Sequence, residues 1–278
     1  MIVDLLLRHG AEQLAPFIED PLREAQLLLS FVWKKSREKL IAWSDEICPE
    51  TVVRAFYEVI EKRAKGTPMA YLIGEKAFWD ITLYVNNTVL IPRPETELLV
   101  ELALGSCFKG CSILELGTGS GAISCAIAKA RPDIFVTATD NSKAALLVAI
   151  TNAERLGLCN IVFHERDWFH LLPEYQFDRI ISNPPYIPEQ DPHLLQGDLR
   201  FEPRMALASG SDGLEAIRGI IVNAGPYLKP GGKLLLEHGY DQAAEVRDLL
   251  LQQGFCDIKT HCDLAGHERA TVSVLPLA

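Results

Sequence analysis

The 278-residue chain carries 27 Lys and Arg against 37 Asp and Glu, a formal net charge of −10, with 48% apolar and 23% charged residues, the balance of an ordinary folded protein. That length suits one large domain, or a standard domain with a small one, and buries a core without disulfide or metal staples. No apolar run approaches the ~18 residues of a membrane span, Met1-Ile2-Val3-Asp4 puts an acid where a secretory leader is basic, and seven cysteines in no regular pattern predict a reducing, cytoplasmic setting with no membrane partner.

Residues 1–65 read as helices. Asp20 before Pro21 gives a capping residue and a first-turn proline, and the apolar run 25–33 follows. Residues 44–49 open another helix through Val53, Phe56, Val59 and Ile60, with Gly66 as its stop. Lys34, Lys35, Arg37 and Lys39 read as a solvated helix face. This segment holds ten basic and eleven acidic residues, so −9 of the net charge falls in residues 66–278. Stable nucleic-acid binding, which rests on Lys and Arg against phosphate, is not expected.

Residues 71–92 change character. Residues 78–85 alternate with β-forming side chains, Asn86-Asn87 turns the chain, and residues 89–91 return. This predicts a β-hairpin linking a helical domain, 1–70, to a second domain, 93–278. Pro92-Arg93-Pro94 ends the hairpin, and residues 95–104 read as a helix with acids in its first turn.

Strand and helix then alternate. Strands are predicted at 112–116, 134–139, 161–164, 179–182 and 233–237, and helices at 122–130, 142–156, 212–224 and 242–253. The alternation implies an α/β fold with right-handed crossovers and a mainly parallel sheet. Residues 255–260 and 269–274 are joined only by a loop, which predicts an antiparallel edge strand.

Glu115-Leu116-Gly117-Thr118-Gly119-Ser120-Gly121-Ala122 follows an apolar strand and opens a helix. Glycines there let the backbone turn sharply and admit a ligand against it. The run also fits GxGxxA, so a dinucleotide site stays open, as does a simple tight turn with a capping aspartate. Asp140 ends the next strand, where an acid grips ribose hydroxyls. No Lys or Arg lies in the loop to meet pyrophosphate, and Glu115 attracts a cation. A positively charged, nucleoside-containing cofactor fits, and S-adenosylmethionine is one.

The fourth strand of the alternating region runs into Asn183-Pro184-Pro185-Tyr186. In an open parallel sheet, ligands bind beyond the strand carboxyl ends at the switch point, so this tetrapeptide faces the glycine loop. The prolines fix φ and remove two donors, giving a rigid rim. Such a rim suits methylation of an amino or amide nitrogen. The Asn183 side-chain oxygen and a carbonyl near Pro184 hold its two N–H groups, and Tyr186 walls the pocket and favours positive charge through its ring. The competing readings are an adenine-N6 methyltransferase acting on DNA or RNA, a binding-only adenosyl module, and a nicotinamide dehydrogenase. The dehydrogenase lacks an evident proton donor.

The chain resembles the bacterial protein-(glutamine-N5) methyltransferases that modify peptide chain release factors. The resemblance is carried by Ile91-Pro92-Arg93-Pro94-Glu95-Thr96-Glu97, residues 115–121, residues 183–186, and Glu202-Pro203-Arg204 continuing to Asp212-Gly213-Leu214. It implies a class I, Rossmann-like methyltransferase domain, a hairpin linker and a helical substrate-recognition domain. It implies S-adenosylmethionine on loop 117–121, with Asp140 at the ribose, Asp167 and Trp168 near the adenine, and Asn183 touching both cofactor and target. The target is the glutamine of a release factor Gly-Gly-Gln loop, docked with help from Arg93 and Glu95. No metal is implied. His261, Cys262 and His267 match no zinc pattern, and Cys125 reads as core.

Overall fold

A computed structural model describes residues 1–105, 107–170 and 175–277. The chain divides into two units, Met1–Gly74 and Glu75–Ala278.

The first unit is helical, with α1 Val3–Leu14, α2 Pro21–Trp33, α3 Arg37–Ala42, α4 Glu50–Ala64 and α5 Met69–Ile73. Asp20 caps α2 through Oδ1, which accepts the Arg23 N–H at 3.2 Å. Pro21 occupies the first turn, where a missing N–H costs nothing. Leu6, Leu14, Leu28, Leu29, Phe56 and Ile60 are fully buried and join α1, α2 and α4 in one core. A Cβ on Gly10 would sit 2.6 Å from Phe56 Cζ, so α1 and α4 approach where a side chain is missing.

The four cations predicted on one solvated helix face instead ring a corner. Lys34 takes a left-handed conformation that ends α2, and Ser36 caps α3. The break separates the charges. Lys35 Nζ lies 3.7 Å from the Trp33 ring centroid and 2.7 Å from Glu46 Oε1, and Arg37 Nε donates to Gln26 at 2.7 Å.

The second unit begins with a hairpin, β1 Glu75–Phe78 and β2 Ile81–Tyr84. Its turn is Trp79-Asp80, with Trp79 at φ 53° and its N–H donated to Glu97 Oε1 at 2.8 Å. The hairpin predicted around Asn86-Asn87 is therefore misplaced by one strand. Asn86 does turn the chain, since its Oδ1 accepts the Thr88 N–H at 2.9 Å. Val85, Val89 and Ile91 are buried but lie outside the strands, so their alternation reports burial.

A short 3₁₀ turn, Pro94–Thr96, leads into α6 Glu97–Leu104. There follow β3 Ser112–Leu116, α7 Ala122–Ala130, β4 Phe135–Asp140, α8 Lys143–Arg155, β5 Ile161–Glu165, β6 Phe177–Ser182, α9 Glu215–Ala224, β7 Leu228–Glu237, α10 Ala243–Gln252, β8 Cys256–Cys262 and β9 Glu268–Val274. The seven strands order as β5-β4-β3-β6-β7-β9-β8. Strands β3 to β7 pair in parallel, and β9 runs against both β7 and β8, forming the antiparallel edge of the sheet.

The chain runs from β3 outward to β5, then returns to β6 on the other side of β3. That reversal is the switch point. The register pairs Leu116 with Ser182, so the loops after β3 and β6 leave side by side. Leu114, Ile180, Leu234 and Leu236 pack under α9 and α10 and hold these strand ends rigid. Among the described residues no helix is long and apolar enough to cross a membrane.

Candidate active site

A cleft opens at the switch point, where ligands of open parallel sheets gather. Its walls come from the glycine loop, the ends of β4 and β5, the loop after β6, residues 88–96 and residues 203–206.

Glycine-loop geometry rests on two carboxylates. Glu115 is buried at the end of β3, and its Oε2 accepts the Thr118 hydroxyl at 2.7 Å and the Ser124 N–H at 3.1 Å. Burial pushes its pKa up to about 7. Part of the charge expected to attract a cation is thus spent on the loop itself. Asp140 Oδ2 accepts the Gly119 N–H and Oδ1 the Ser142 N–H, each at 2.8 Å. Burial raises its pKa, against those backbone N–H groups. Gly117 and Gly119 take positive φ and present bare backbone to the cleft, with Trp168 beside Gly117 as a flat apolar wall.

These features fit S-adenosylmethionine. A Cβ on Gly119 would meet nothing within 4 Å, so open space lies against the loop. Asp140 offers spare lone pairs for two ribose hydroxyls, and Trp168 a face for a purine. Glu115, Asp140 and Asp167 outnumber Arg93 and Arg166 along the walls, which favours a cation over a phosphate. Asp140→Ala should weaken S-adenosylmethionine binding by about 1.5–3 kcal/mol, the range for hydrogen bonds to a charged group. Titration calorimetry with unchanged affinity would place the ribose contact elsewhere.

The loop after β6 is clamped by residues distant in sequence. Asn183 lines the cleft and its Nδ2 donates to Thr96 Oγ1 at 3.0 Å. The Tyr186 carbonyl accepts Gln242 Nε2 at 3.0 Å. Gly213 sits at φ 77°, and a Cβ there would lie 2.2 Å from the Tyr186 carbonyl oxygen. Gly213→Ala adds left-handed strain to that overlap, so a loss of about 2 kcal/mol or more is expected. Denaturant unfolding measures it, and an unchanged midpoint would mean that the loop yields freely.

The structure brings together Glu115, Gly117, Thr118, Gly119, Ser120, Asp140, Asp167, Trp168, Asn183, Pro185 and Arg93 around the cleft. Four predicted residues lie off its walls. Gly121 packs against α8, where a Cβ would come 3.1 Å from Ala149 Cβ. Pro184 is buried and Glu95 is exposed. Tyr186 turns into the core and donates its hydroxyl to Glu237 Oε1 at 3.3 Å, so its ring is not the expected cleft wall. The apolar strand ends beneath the loop draw the ring inward.

Residues 187–211 form three 3₁₀ turns, Pro192–Leu195, Leu199–Phe201 and Arg204–Ala206. Glu202 is buried. Its Oε1 accepts the Ile91 N–H at 3.0 Å, and its Oε2 pairs with Arg93 Nη2. That pair ties Glu202-Pro203-Arg204 to Ile91-Pro92-Arg93 across the cleft mouth. Thr96 and Glu237 escaped sequence reading, although Glu237 stands at the carboxyl end of a strand, where ligands gather. Among the described residues, His261, Cys262 and His267 join no cluster able to hold a metal.

Comparison with known proteins adds five findings. The PrmC N-terminal domain family matches residues 6–74, and a methyltransferase domain family matches residues 108–264. The chain is 44% identical over 254 residues to a release factor glutamine methyltransferase of Salmonella typhimurium, covering 91% of this chain and 92% of that one. It is 45% identical over 268 residues to the protein so named in Coxiella burnetii, covering 96% of each. A solved methyltransferase from Pyrococcus furiosus superposes with TM-score 0.56 at 18% identity, over 79% of this chain and 99% of that one.

Proposed function

This chain belongs to the release factor glutamine methyltransferase family, and we propose residue roles for the reaction that this membership entails. It is an S-adenosylmethionine-dependent enzyme that methylates a release factor glutamine, and the position we assign is the side-chain amide nitrogen, N5, of the glutamine in the Gly-Gly-Gln loop. Glycine loop 117–121 and Asp140 hold the cofactor, with Asp167 and Trp168 at its base. When bound, S-adenosylmethionine supplies an electrophilic methyl group.

The observation that carries the assignment is the Asn183 hydrogen bond to Thr96. It occupies the amide N–H side of Asn183 and leaves Oδ1 as an acceptor at the cleft wall. An amide nitrogen is a poor nucleophile, because its lone pair is delocalised. Asn183 Oδ1 and a backbone carbonyl of the 183–185 rim accept its two N–H groups, orient it, and favour the positive charge that develops on it. No strong base is needed, since an alkylated amide nitrogen is acidic. Pro185 narrows the entrance. Arg93, held by Glu202, and Glu95 face the arriving substrate loop. Tyr186 acts from the core, through its hydroxyl and the loop it anchors.

The helical unit recognises the release factor at a distance from the target loop. Release factors are the protein partners, and the −9 charge of residues 66–278 argues against stable nucleic-acid binding. Adenine-N6 methylation is not favoured, because the relatives are named for release factor glutamine. The enzyme works in the cytoplasm, where release factors act.

The test incubates the enzyme with isotopically labelled S-adenosylmethionine and either a release factor or duplex DNA, then maps the label by mass spectrometry. Label on the Gly-Gly-Gln glutamine is expected. Label in nucleic acid alone would overturn the substrate.

A further inference from the structure

The segment 187–211 leaves the rim at Tyr186 and returns at Asp212, and residues 203–206 of it stand on the cleft wall. One side chain from elsewhere joins its two ends. Gln242, at the N-cap of α10 and 8% exposed, donates Nε2 to the Tyr186 carbonyl at 3.0 Å and to the Asp212 carbonyl at 3.4 Å. Its Oε1 accepts the Gly239 N–H at 2.8 Å, just past the end of β7. A carboxamide carries two N–H donors and an acceptor in one plane, so this single residue ties three loops at the carboxyl end of the sheet. A Cβ on Gly213 would sit 2.8 Å from Gln242 Nε2, so the crossing is filled to contact.

The rim depends on anchors at its ends. Pro184 and Pro185 have no N–H to donate, and their φ angles are fixed. At one end Ser182 is paired in the sheet, and its hydroxyl donates to the Leu116 carbonyl at 2.8 Å. At the other end stand the Gln242 bond, the Tyr186 hydroxyl on Glu237 at 3.3 Å, and the Ile187 N–H on the Leu207 carbonyl at 2.9 Å. Of these, the Gln242 bond ties the rim backbone to α10 and to the turn after β7. The Ile187 bond joins the rim only to the segment that it opens. Locked prolines absorb little, so a shift at Tyr186 is passed back to Asn183.

We propose that Gln242 is a positioning residue for methyl transfer: by pinning both ends of segment 187–211 to the turn after β7, it sets the rim that carries Asn183. This rests on the role given to Asn183 above.

The experiment uses the full chain, a release factor and saturating S-adenosylmethionine in single turnover, with Gln242→Glu and Gln242→Met. Glu has the same shape, keeps an acceptor for Gly239, and places a negative charge where a helix N-terminus favours it. Ionised, it has no proton for the two carbonyls. Met is of similar length, lacks the donor, and keeps the test open if the Glu protein does not fold. Each variant should slow methyl transfer about 10–100-fold, as a small misplacement of reacting groups does.

S-adenosylmethionine affinity and release factor KM should stay within about threefold, the mark of an interaction made only in the transition state. The Asp140 bond to the glycine loop and the Glu202–Arg93 pair at the cleft mouth do not involve Gln242. In an Asn183→Ala background, Gln242→Glu should slow transfer by no more than about threefold further, because its path runs through Asn183; an independent structural loss would multiply in full. A folded Gln242 variant that transfers methyl at the parent rate, a double variant whose losses multiply, or a rate loss matched by an equal loss of cofactor affinity overturns the inference. If Asn183→Ala is slow while the Gln242 variants are not, this inference alone falls; if Asn183→Ala is as fast as the parent, the Asn183 role falls as well.

Discussion

Asn183→Ala is expected to lower kcat by roughly 10²–10³, the range for deleting one acceptor or donor aligned on a transition state. The side chain lines the cleft and is fixed by Thr96, so little reorganisation is needed when charge develops on the target nitrogen. The alanine enzyme keeps its loop, because Gln242 and Gly213 hold Tyr186 by its backbone. Some loss of cofactor affinity is allowed, since Asn183 borders the cofactor loop. Single-turnover transfer with both ligands saturating isolates the chemical step. A parent-like rate under those conditions would remove Asn183 from the chemistry.

Removing the helical unit should instead act on recognition. A glutamine side chain is small, and the groups around Asn183 grip little beyond its amide. Selection of one glutamine must then draw on remote surface. A chain beginning at Glu75, where the second unit starts, should methylate a full-length release factor with kcat nearly intact and kcat/KM lower by on the order of 10²-fold. Contacts equally strong in ground and transition states set KM and leave kcat alone. Its fold and its S-adenosylmethionine affinity are checked first. An unchanged kcat/KM would show that the helical unit does not recognise substrate.

The catalytic architecture was legible wherever local pattern and tertiary position agree. Strands β3 and β6 are buried along nearly their whole length and read as apolar runs closed by Gly117 and Asn183, while β4 was marked by its closing Asp140. The cofactor loop and the Asn-Pro-Pro-Tyr rim followed from those ends. The hairpin was misread because Val85, Val89 and Ile91 alternate for burial rather than for pairing, and because Trp79 takes a left-handed turn conformation rare outside glycine and asparagine. Tyr186 was sent to the cleft wall by its place in the motif, whereas the core beneath takes its ring. Glu202 and Glu237 had no local signal. Their partners Ile91 and Arg93, and Tyr186, lie 111, 109 and 51 positions away, and pairing at such range leaves no periodicity in the chain.

The clamps around the cleft also fix a time order. Glu202 reaches back to Ile91 and Arg93, and Gln242 reaches back to Tyr186. Synthesis runs from the N-terminus, so the glycine loop leaves the ribosome well before the residues that hold its opposite wall. At about 5–20 residues per second, the interval between residues 121 and 242 lasts roughly 6–24 s. During that interval the loop after β6 lacks the Gln242 clamp on the Tyr186 carbonyl. Methylation competence therefore arrives abruptly and late, once residue 242 is free to fold back.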